Sequence, residues 1–111
     1  MNDILDNSVL ELRRGVVVMA ALIILQKEGY GYSVLRQLAE NGLEVDQGTI
    51  YPLLRRLESQ GLLQSAWRIE AARPRRYYQT SPEGQKMLQK LVEEWKLITR
   101  AVENITILKP E

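Results

Sequence analysis

The sequence predicts a mainly α-helical fold that contains one small β-hairpin. Apolar residues recur at helical spacing in four segments of the 111-residue chain, and the segment before the last of them alternates as strands do. The final segment is a long helix with one continuous apolar stripe. Because 45% of the residues are apolar and 26% are charged, we expect one compact domain and not a disordered chain.

The composition excludes several classes of functional site. The chain has no cysteine and no histidine, which removes disulfides, zinc sites built on these residues and every Ser-His or Cys-His catalytic pair. We therefore expect no metal, no cofactor and no enzyme. The longest apolar run, Val16–Leu25, has ten residues and is too short to cross a bilayer. Acidic residues before it and the polar segment Gln26–Glu28 after it argue against a signal peptide, so a cytoplasmic protein without a membrane partner is expected.

Two helices are predicted in the first part of the chain. Leu12–Lys27 is apolar almost all round and predicts a helix buried on most sides, ended by Gly29 in the left-handed conformation. Tyr32–Asn41 is amphipathic, and Gly42 follows its end. The short stretch Leu43–Val45 predicts a brief extended piece.

The third helix is predicted over Gln47–Gln60. Asp46 is a favourable N-cap residue, and Gly61 is suited to the left-handed position after the helix. Pro52 lacks the N–H group that a helix interior needs. We therefore expect either a helix that begins near Gly48 or a distortion of its first turns.

A hairpin follows the third helix. Leu62–Ile69 and Arg75–Thr80 alternate as strands do, and the five residues of Glu70–Pro74 would join them. We expect Trp67 to belong to the core. The adjacent pair Tyr77–Tyr78 is expected to combine core packing with phosphate contacts.

The last helix is predicted to run over Pro82–Leu108, with Ser81 as its cap, and would be about 40 Å long. Its apolar residues follow a coiled-coil seam: Leu88, Leu91, Trp95, Ile98, Val102 and Ile105. Since so small a domain cannot cover a helix of this length, the seam favours a homodimer interface. The alternative is a long core helix packed on the first helix of its own chain. We expect residues 1–81 to form one domain and 82–111 a dimerisation helix within the same compact unit.

Positive charge is concentrated in one part of the chain. Residues 47–81 hold six arginines and two glutamates, a net charge of +4, whereas the preceding part carries −3 and the following part zero. Arginine can bind phosphate oxygens and guanine edges with two parallel hydrogen bonds. The alternative is a solvated arginine-rich surface that has no partner.

The order of helix, turn, helix and hairpin is that of a winged helix-turn-helix. The third helix would bury one apolar side and present a polar side, together with the start of the second helix and the hairpin, to double-stranded DNA. The candidate DNA-binding residues are Tyr32, Ser33, Gln47, Gly48, Thr49, Tyr51, Pro52, Arg55, Arg56, Arg73, Arg75 and Arg76. Gly48 would let the backbone approach the DNA, and the first residues of the helix would reach base edges.

Several segments resemble the PadR family of winged-helix transcriptional regulators, in particular its short members with a single C-terminal helix. They are LRRG at 12–15, GYGYSVLRQL at 29–38, GTIYPLLRRLESQGLL at 48–63, RPRRYYQTSPEG at 73–84 and LVEEWKLI at 91–98. Members usually carry glycines in the wing loop, whereas this chain has EAARP at 70–74. Its wing is therefore expected to be stiffer and more basic.

The resemblance implies a homodimer that represses transcription by occupying operator DNA. It also implies a small aromatic effector bound at the dimer interface beside Trp95; the alternative is that Trp95 only fills the interface. A different functional class stays open from the residues alone, namely a winged-helix module that binds other proteins and not DNA. That module would need an exposed apolar patch on the wing.

Overall fold

The computed structural model describes residues 3–105. It has four helices and a three-stranded antiparallel sheet, which confirms the predicted fold class. The elements in chain order are α1 (Asp3–Ile24), β1 (Gly29–Tyr30), α2 (Gly31–Glu40), α3 (Gln47–Ser59), β2 (Leu63–Glu70), β3 (Arg73–Thr80) and α4 (Pro82–Ile105). The strand order is β1-β3-β2. The predicted continuation of the last helix to Leu108 lies outside the described residues.

The core lies where the first three helices meet. Leu22 of α1, Leu38 of α2 and Leu54 of α3 are almost completely buried there, as are several neighbours on the same helix faces. Burying apolar side chains of this size supplies the main driving force for the three-helix arrangement. The hairpin is fixed to it by Thr80, whose Oγ1 donates to the Leu22 carbonyl oxygen at 2.9 Å.

Among residues 3–105, every helix is too short or too polar to span a bilayer.

The predicted caps of α3 and of the start of α4 are confirmed. Asp46 Oδ1 accepts a hydrogen bond from the Thr49 N–H at 2.9 Å, and Gly61 takes a left-handed φ of +80° after α3. The helix begins at Gln47, next to Gly48, which agrees with the first of the two alternatives, and it continues through Pro52. Ser81 caps α4: its Oγ accepts from the Gly84 N–H at 3.0 Å.

Ser81 also ties the start of α4 to the end of α3. Its hydroxyl donates to the Gly61 carbonyl oxygen at 2.6 Å. Its N–H donates to the Leu62 carbonyl oxygen at 3.0 Å. The junction between the hairpin and the last helix is therefore held against the turn that follows α3.

Two predictions in the first half of the chain are wrong. The first helix begins at Asp3 and ends at Ile24, so it includes first turns that the prediction left out and that are exposed although they hold apolar as well as polar residues. Gly29 does not take a left-handed conformation; it lies in β1 and pairs with Tyr78. Leu43–Val45, where a brief extended piece was expected, belongs to no helix or strand.

The wing turn also differs from the prediction. Its strands are longer than expected, and only Ala71 and Ala72 join them, so the predicted five-residue loop is wrong. Both alanines take positive φ values, of 50° and 64°. Two consecutive residues with positive φ form a type I′ turn, and the twist of this turn matches the right-handed twist of the two strands that it joins.

Two predicted side-chain environments are corrected as well. Trp67 is 64% exposed and not part of the core, because the hairpin extends past the end of the helices beneath it. Leu88 is 5% exposed and belongs to the core of its own chain, so it is not free to form a dimer interface. Leu91 is partly buried against the same core, whereas the later seam residues are exposed: Trp95, Ile98, Val102 and Ile105.

Candidate nucleic-acid interface

The outward side of α3 is exposed along its whole length. Four apolar residues fix the opposite side in the core: Ile50, Leu53, Leu54 and Leu57. This leaves six candidate residues exposed to solvent: Gln47, Gly48, Thr49, Pro52, Arg55 and Arg56. Such a helix, anchored on one side and polar on the other, has the form of an element that can enter a DNA major groove.

The start of α2 packs closely against α3. A Cβ atom at Gly31 would lie 2.0 Å from Cε1 of Tyr51, so the Tyr51 ring rests on the bare backbone of that glycine. Tyr32 is 47% exposed beside it. Ser33 is already engaged: its Oγ donates to the Tyr30 carbonyl oxygen at 2.7 Å and accepts from the Tyr30 N–H at 3.1 Å. Its hydroxyl therefore serves the helix cap.

Arg76 connects the wing to α3. Its Nη2 donates to Glu58 Oε1 at 2.7 Å, and its Nε donates to Ser65 Oγ at 3.1 Å. The Ser65 hydroxyl in turn donates to the other carboxylate oxygen of Glu58. The guanidinium is half-buried and its charge is neutralised within the protein, so this candidate is not presented to solvent in the way that the sequence suggested.

Arg75 is held on the outer face of the sheet. Its guanidinium lies 4.1 Å from the centre of the Tyr30 ring and 3.8 Å from Glu70 Oε1. The Tyr77 hydroxyl donates to Glu70 Oε1 at 2.6 Å, and this hydrogen bond raises the pKa of Tyr77. Arg68 on the same face pairs with Glu28 at 2.6 Å. Arg75 and Arg68, two of the six arginines of residues 47–81, are thus paired with carboxylates of the protein itself.

The other three arginines of this segment are Arg55, Arg56 and Arg73. All three side chains are exposed, and none of their guanidinium groups forms an ion pair or hydrogen bond within residues 3–105. The positive charge that the sequence concentrates in residues 47–81 is therefore carried to the surface by these three side chains. Two lie on α3 and one lies at the wing turn.

A cleft of about 580 Å³ opens between the start of α2, α3 and the hairpin, and residues from both faces of the hairpin contribute to its lining. Five aromatic side chains and four arginines line it: Tyr30, Tyr32, Tyr51, Trp67, Tyr78, Arg55, Arg73, Arg75 and Arg76. Burial raises the pKa of Tyr78, and the nearby Arg76 guanidinium partly opposes this. The structure thus brings together six of the predicted residues with Trp67 and Tyr30, which sequence reasoning had not assigned to DNA.

Other predicted residues line a second groove. Thr49, Pro52 and Arg56 face a space of about 430 Å³ that also contacts Arg13 and Arg14 of α1. Arg13 and Arg14 are not among the predicted DNA-binding residues. Their position beside the start of α3 depends on how α1 packs against α3, which the sequence does not show.

A third groove, of about 530 Å³, lies between α1 and α4. Trp95 and Ile98 form one wall, and Val16 and Met19 form the other. Its lining is almost wholly apolar. The groove is continuous with the exposed half of the α4 seam.

Comparison with known proteins gives consistent matches. The model of the family described as "Transcriptional regulator PadR-like family" matches residues 21–90. A solved PadR family transcriptional regulator from Eggerthella lenta DSM 2243 is 41% identical, with 98% of this chain and 96% of that chain covered and a TM-score of 0.85. A solved PadR-like transcriptional regulator from Bacillus cereus strain ATCC 14579 is 28% identical, with 91% and 99% covered and a TM-score of 0.79.

A curated relative gives the same picture over a shorter stretch. The transcriptional regulator Rv3488 of Mycobacterium tuberculosis (strain ATCC 25618 / H37Rv) is 41% identical over 61 residues, which are 55% of this chain. The match spans 57% of the relative's own length. All these matches are to transcriptional regulators and none to an enzyme.

Proposed function

This chain belongs to the transcriptional regulator PadR-like family, and from that premise we propose that it acts as a homodimeric repressor that occupies operator DNA. Membership makes it a transcriptional regulator and not an enzyme. The observation that carries the proposal is the exposed polar side of α3, with Arg55 and Arg56 unpaired among the described residues and Arg73 unpaired on the adjacent wing. Arginines without an internal partner are free to neutralise phosphates.

In the proposed complex, each subunit places α3 in a major groove. Gln47 and Thr49 at its start reach base edges, Gly48 allows close approach, and the arginines hold the flanking phosphates. The start of α2, with Tyr32 and the positive end of the helix dipole, faces the backbone. Two half-sites related by dyad symmetry would lie one or more helical turns apart.

The dimer is proposed to form through the exposed half of α4. Trp95, Ile98 and Val102 are each about half exposed, although they form one apolar stripe. A stripe of this kind is stable in water when a second helix covers it. Residues 1–81 would then carry the DNA-binding domain, and residues 82–111 would carry the dimer contact within the same compact unit.

Release by a small aromatic effector is the third part of the proposal. The apolar groove beside Trp95 has the size of a small-molecule site. A ligand there would lie against both α1 and α4. A shift of the long helices by about 1–2 Å would change the separation of the two α3 helices and weaken binding to a fixed operator.

One observation favours a second function. Trp67 and Ile69 are 64% and 79% exposed on the wing, and an apolar patch is what a protein-binding module would need. They lie beside unpaired arginines, which favours DNA instead. Binding to duplex DNA decides between the two functions.

The test is a gel-shift titration against genomic fragments at several salt concentrations. Arg55→Ala or Arg56→Ala should weaken binding and lower the slope of log affinity against log salt by about one unit for each lost phosphate contact. Lys86→Ala removes the same charge at the start of α4 and should leave the slope unchanged. Unchanged slopes for both arginine variants would contradict the proposed DNA face.

A further inference from the structure

Trp67 is the largest side chain on the inner face of the hairpin that the core does not cover. It pairs across the strands with Arg76, on the same face as the buried residues Leu63 and Tyr78. Nevertheless it is 64% exposed, since the hairpin projects beyond the helices at this point. Its indole ring lines the cleft between α3 and the wing.

The indole is held by a chain of contacts that begins on α3. The Arg76 guanidinium lies 5.6 Å from the centre of the Trp67 ring. Arg76 is itself held by Glu58 at 2.7 Å, and Glu58 belongs to the last turns of α3. The position of the ring is thus fixed relative to α3, and not only relative to the wing.

We propose that Trp67 packs against the sugar–phosphate backbone of duplex DNA in this cleft, with Arg76 and Glu58 as positioning residues. This rests on the proposed DNA-binding function. A DNA backbone alternates charged phosphates with apolar deoxyribose faces. The cleft offers both complements, because Arg55 and Arg73 line it with unpaired guanidinium groups while Trp67 offers an exposed apolar ring.

In this proposal, Arg76 does not bind a phosphate directly, as an arginine of a simple basic patch would. The carboxylate of Glu58 already neutralises this guanidinium, so it has little charge left to offer a phosphate. Its contribution to DNA binding comes through the ring that it holds. The two kinds of contribution give different salt dependences, since only charged contacts release counterions.

The experiment measures the affinity of the full-length protein for an operator duplex at several salt concentrations. Trp67→Ala should weaken binding by about tenfold, as is common for a buried aromatic contact. The salt slope, the melting temperature and the dimer mass should all be unchanged. Trp67→Phe should recover part of the affinity. Unchanged affinity, a lowered slope or dissociation into monomers would each overturn the proposal.

A second arm tests the positioning residues. Replacing both Glu58 and Arg76 by glutamine leaves the net charge unchanged, and it should reduce operator affinity in the wild-type background but have little effect when combined with Trp67→Ala. The double replacement of Glu93 and Lys96 by glutamine also keeps the net charge, on an exposed part of α4, and serves as the control. Losses that add independently in the combined variant would show that Glu58 and Arg76 do not act through Trp67.

Fluorescence separates this inference from the proposed function. Trp67 and Trp95 are the two tryptophans of the chain. At a saturating duplex concentration, acrylamide should quench the tryptophan fluorescence of the wild-type protein less than it does without DNA. In Trp67→Phe only Trp95 reports, and the duplex should no longer reduce the quenching. If the wild-type protein binds no duplex, the proposed function fails. If it binds and the protection persists in Trp67→Phe, only the inference about Trp67 fails.

Discussion

At the scale of single residues, the arginines of residues 47–81 divide by their neighbours. Arg76 pairs with Glu58, and Arg75 pairs with Glu70 while stacking on Tyr30. Arg55 and its two unpaired counterparts have no such partner in the described part of the chain. The sequence predicted where the positive charge is concentrated. It could not predict which charges are neutralised, because the pairing depends on how the hairpin folds over α3.

The burial of the apolar residue Trp67 also could not be predicted from the sequence. Strand alternation correctly placed it on the face of Leu63. Alternation cannot say where along the strand the core ends, however, and Trp67 lies beyond that point. The error in its predicted burial therefore came from the length of the hairpin relative to the helices.

Gly48 provides a residue-scale prediction. A Cβ atom there would meet only Asp46 Oδ1, at 3.4 Å, so alanine fits the free protein. Gly48→Ala should raise the free energy of unfolding by about 0.5–1 kcal/mol, because alanine is the better helix former. It should nevertheless weaken operator binding if the backbone approaches DNA here. Thermal melts and gel shifts measure the two effects, and unchanged affinity would contradict close approach.

Trp95 provides a second prediction at this scale. Trp95→Ala should abolish the release of DNA by planar aromatic dyes while leaving a folded dimer, since the ring forms one wall of the apolar groove. Gel shifts with and without each dye measure the response. Lys86→Ala serves as the control, since it lies outside both this groove and the proposed DNA face. Release that persists in Trp95→Ala would remove the residue from effector binding.

At the scale of elements, helix ends were predicted well where a cap is encoded locally. Asp46 and Gly61 around α3, and Ser81 before α4, all act as predicted. β1 was missed, because two residues carry no pattern of their own and form a strand only by pairing with β3. The first turns of α1 were missed although Leu5, Val9 and Leu12 recur at helical spacing there, because these side chains stay exposed in the structure and the prediction followed the buried apolar run after them.

The wing turn allows an element-scale prediction. Ala72 has a φ of 64°, a region where a Cβ atom is disfavoured by about 1–2 kcal/mol. Ala72→Gly should therefore raise the free energy of unfolding by about 0.5–1 kcal/mol after the extra entropy of glycine in the unfolded chain is subtracted. Urea unfolding measures the change. Ala66→Gly, within β2, is the control and should destabilise; a matching loss at Ala72 would contradict the strain.

At the scale of the whole molecule, the described residues are elongated, with extents of 59 × 36 × 22 Å. The elongation is consistent with a last helix that the rest of the chain does not cover throughout. The sequence predicted this helix and its stripe, but it did not show that Leu88 and Leu91 turn toward the core of their own chain. The first half of the helix thus packs on its own chain, as the alternative prediction had it, and the exposed second half carries the proposed dimer contact.

The exposed half leads to a whole-molecule prediction. Val102→Glu places a carboxylate on the stripe and should convert the dimer to a monomer, as measured by sedimentation. Loss of the second half-site contact should reduce operator affinity by about a hundredfold or more. Asn104→Glu adds the same charge off the stripe and should change neither property. A dimeric Val102→Glu protein would contradict the proposed interface.

The Ser81 junction has a mechanical consequence. Two hydrogen bonds of Ser81 join the start of α4 to Gly61 and Leu62, the residues that follow the C-cap of α3. We therefore expect a rotation of α4 to change the orientation of α3 as well. Removing the Ser81 hydroxyl should weaken this coupling while both helices remain folded.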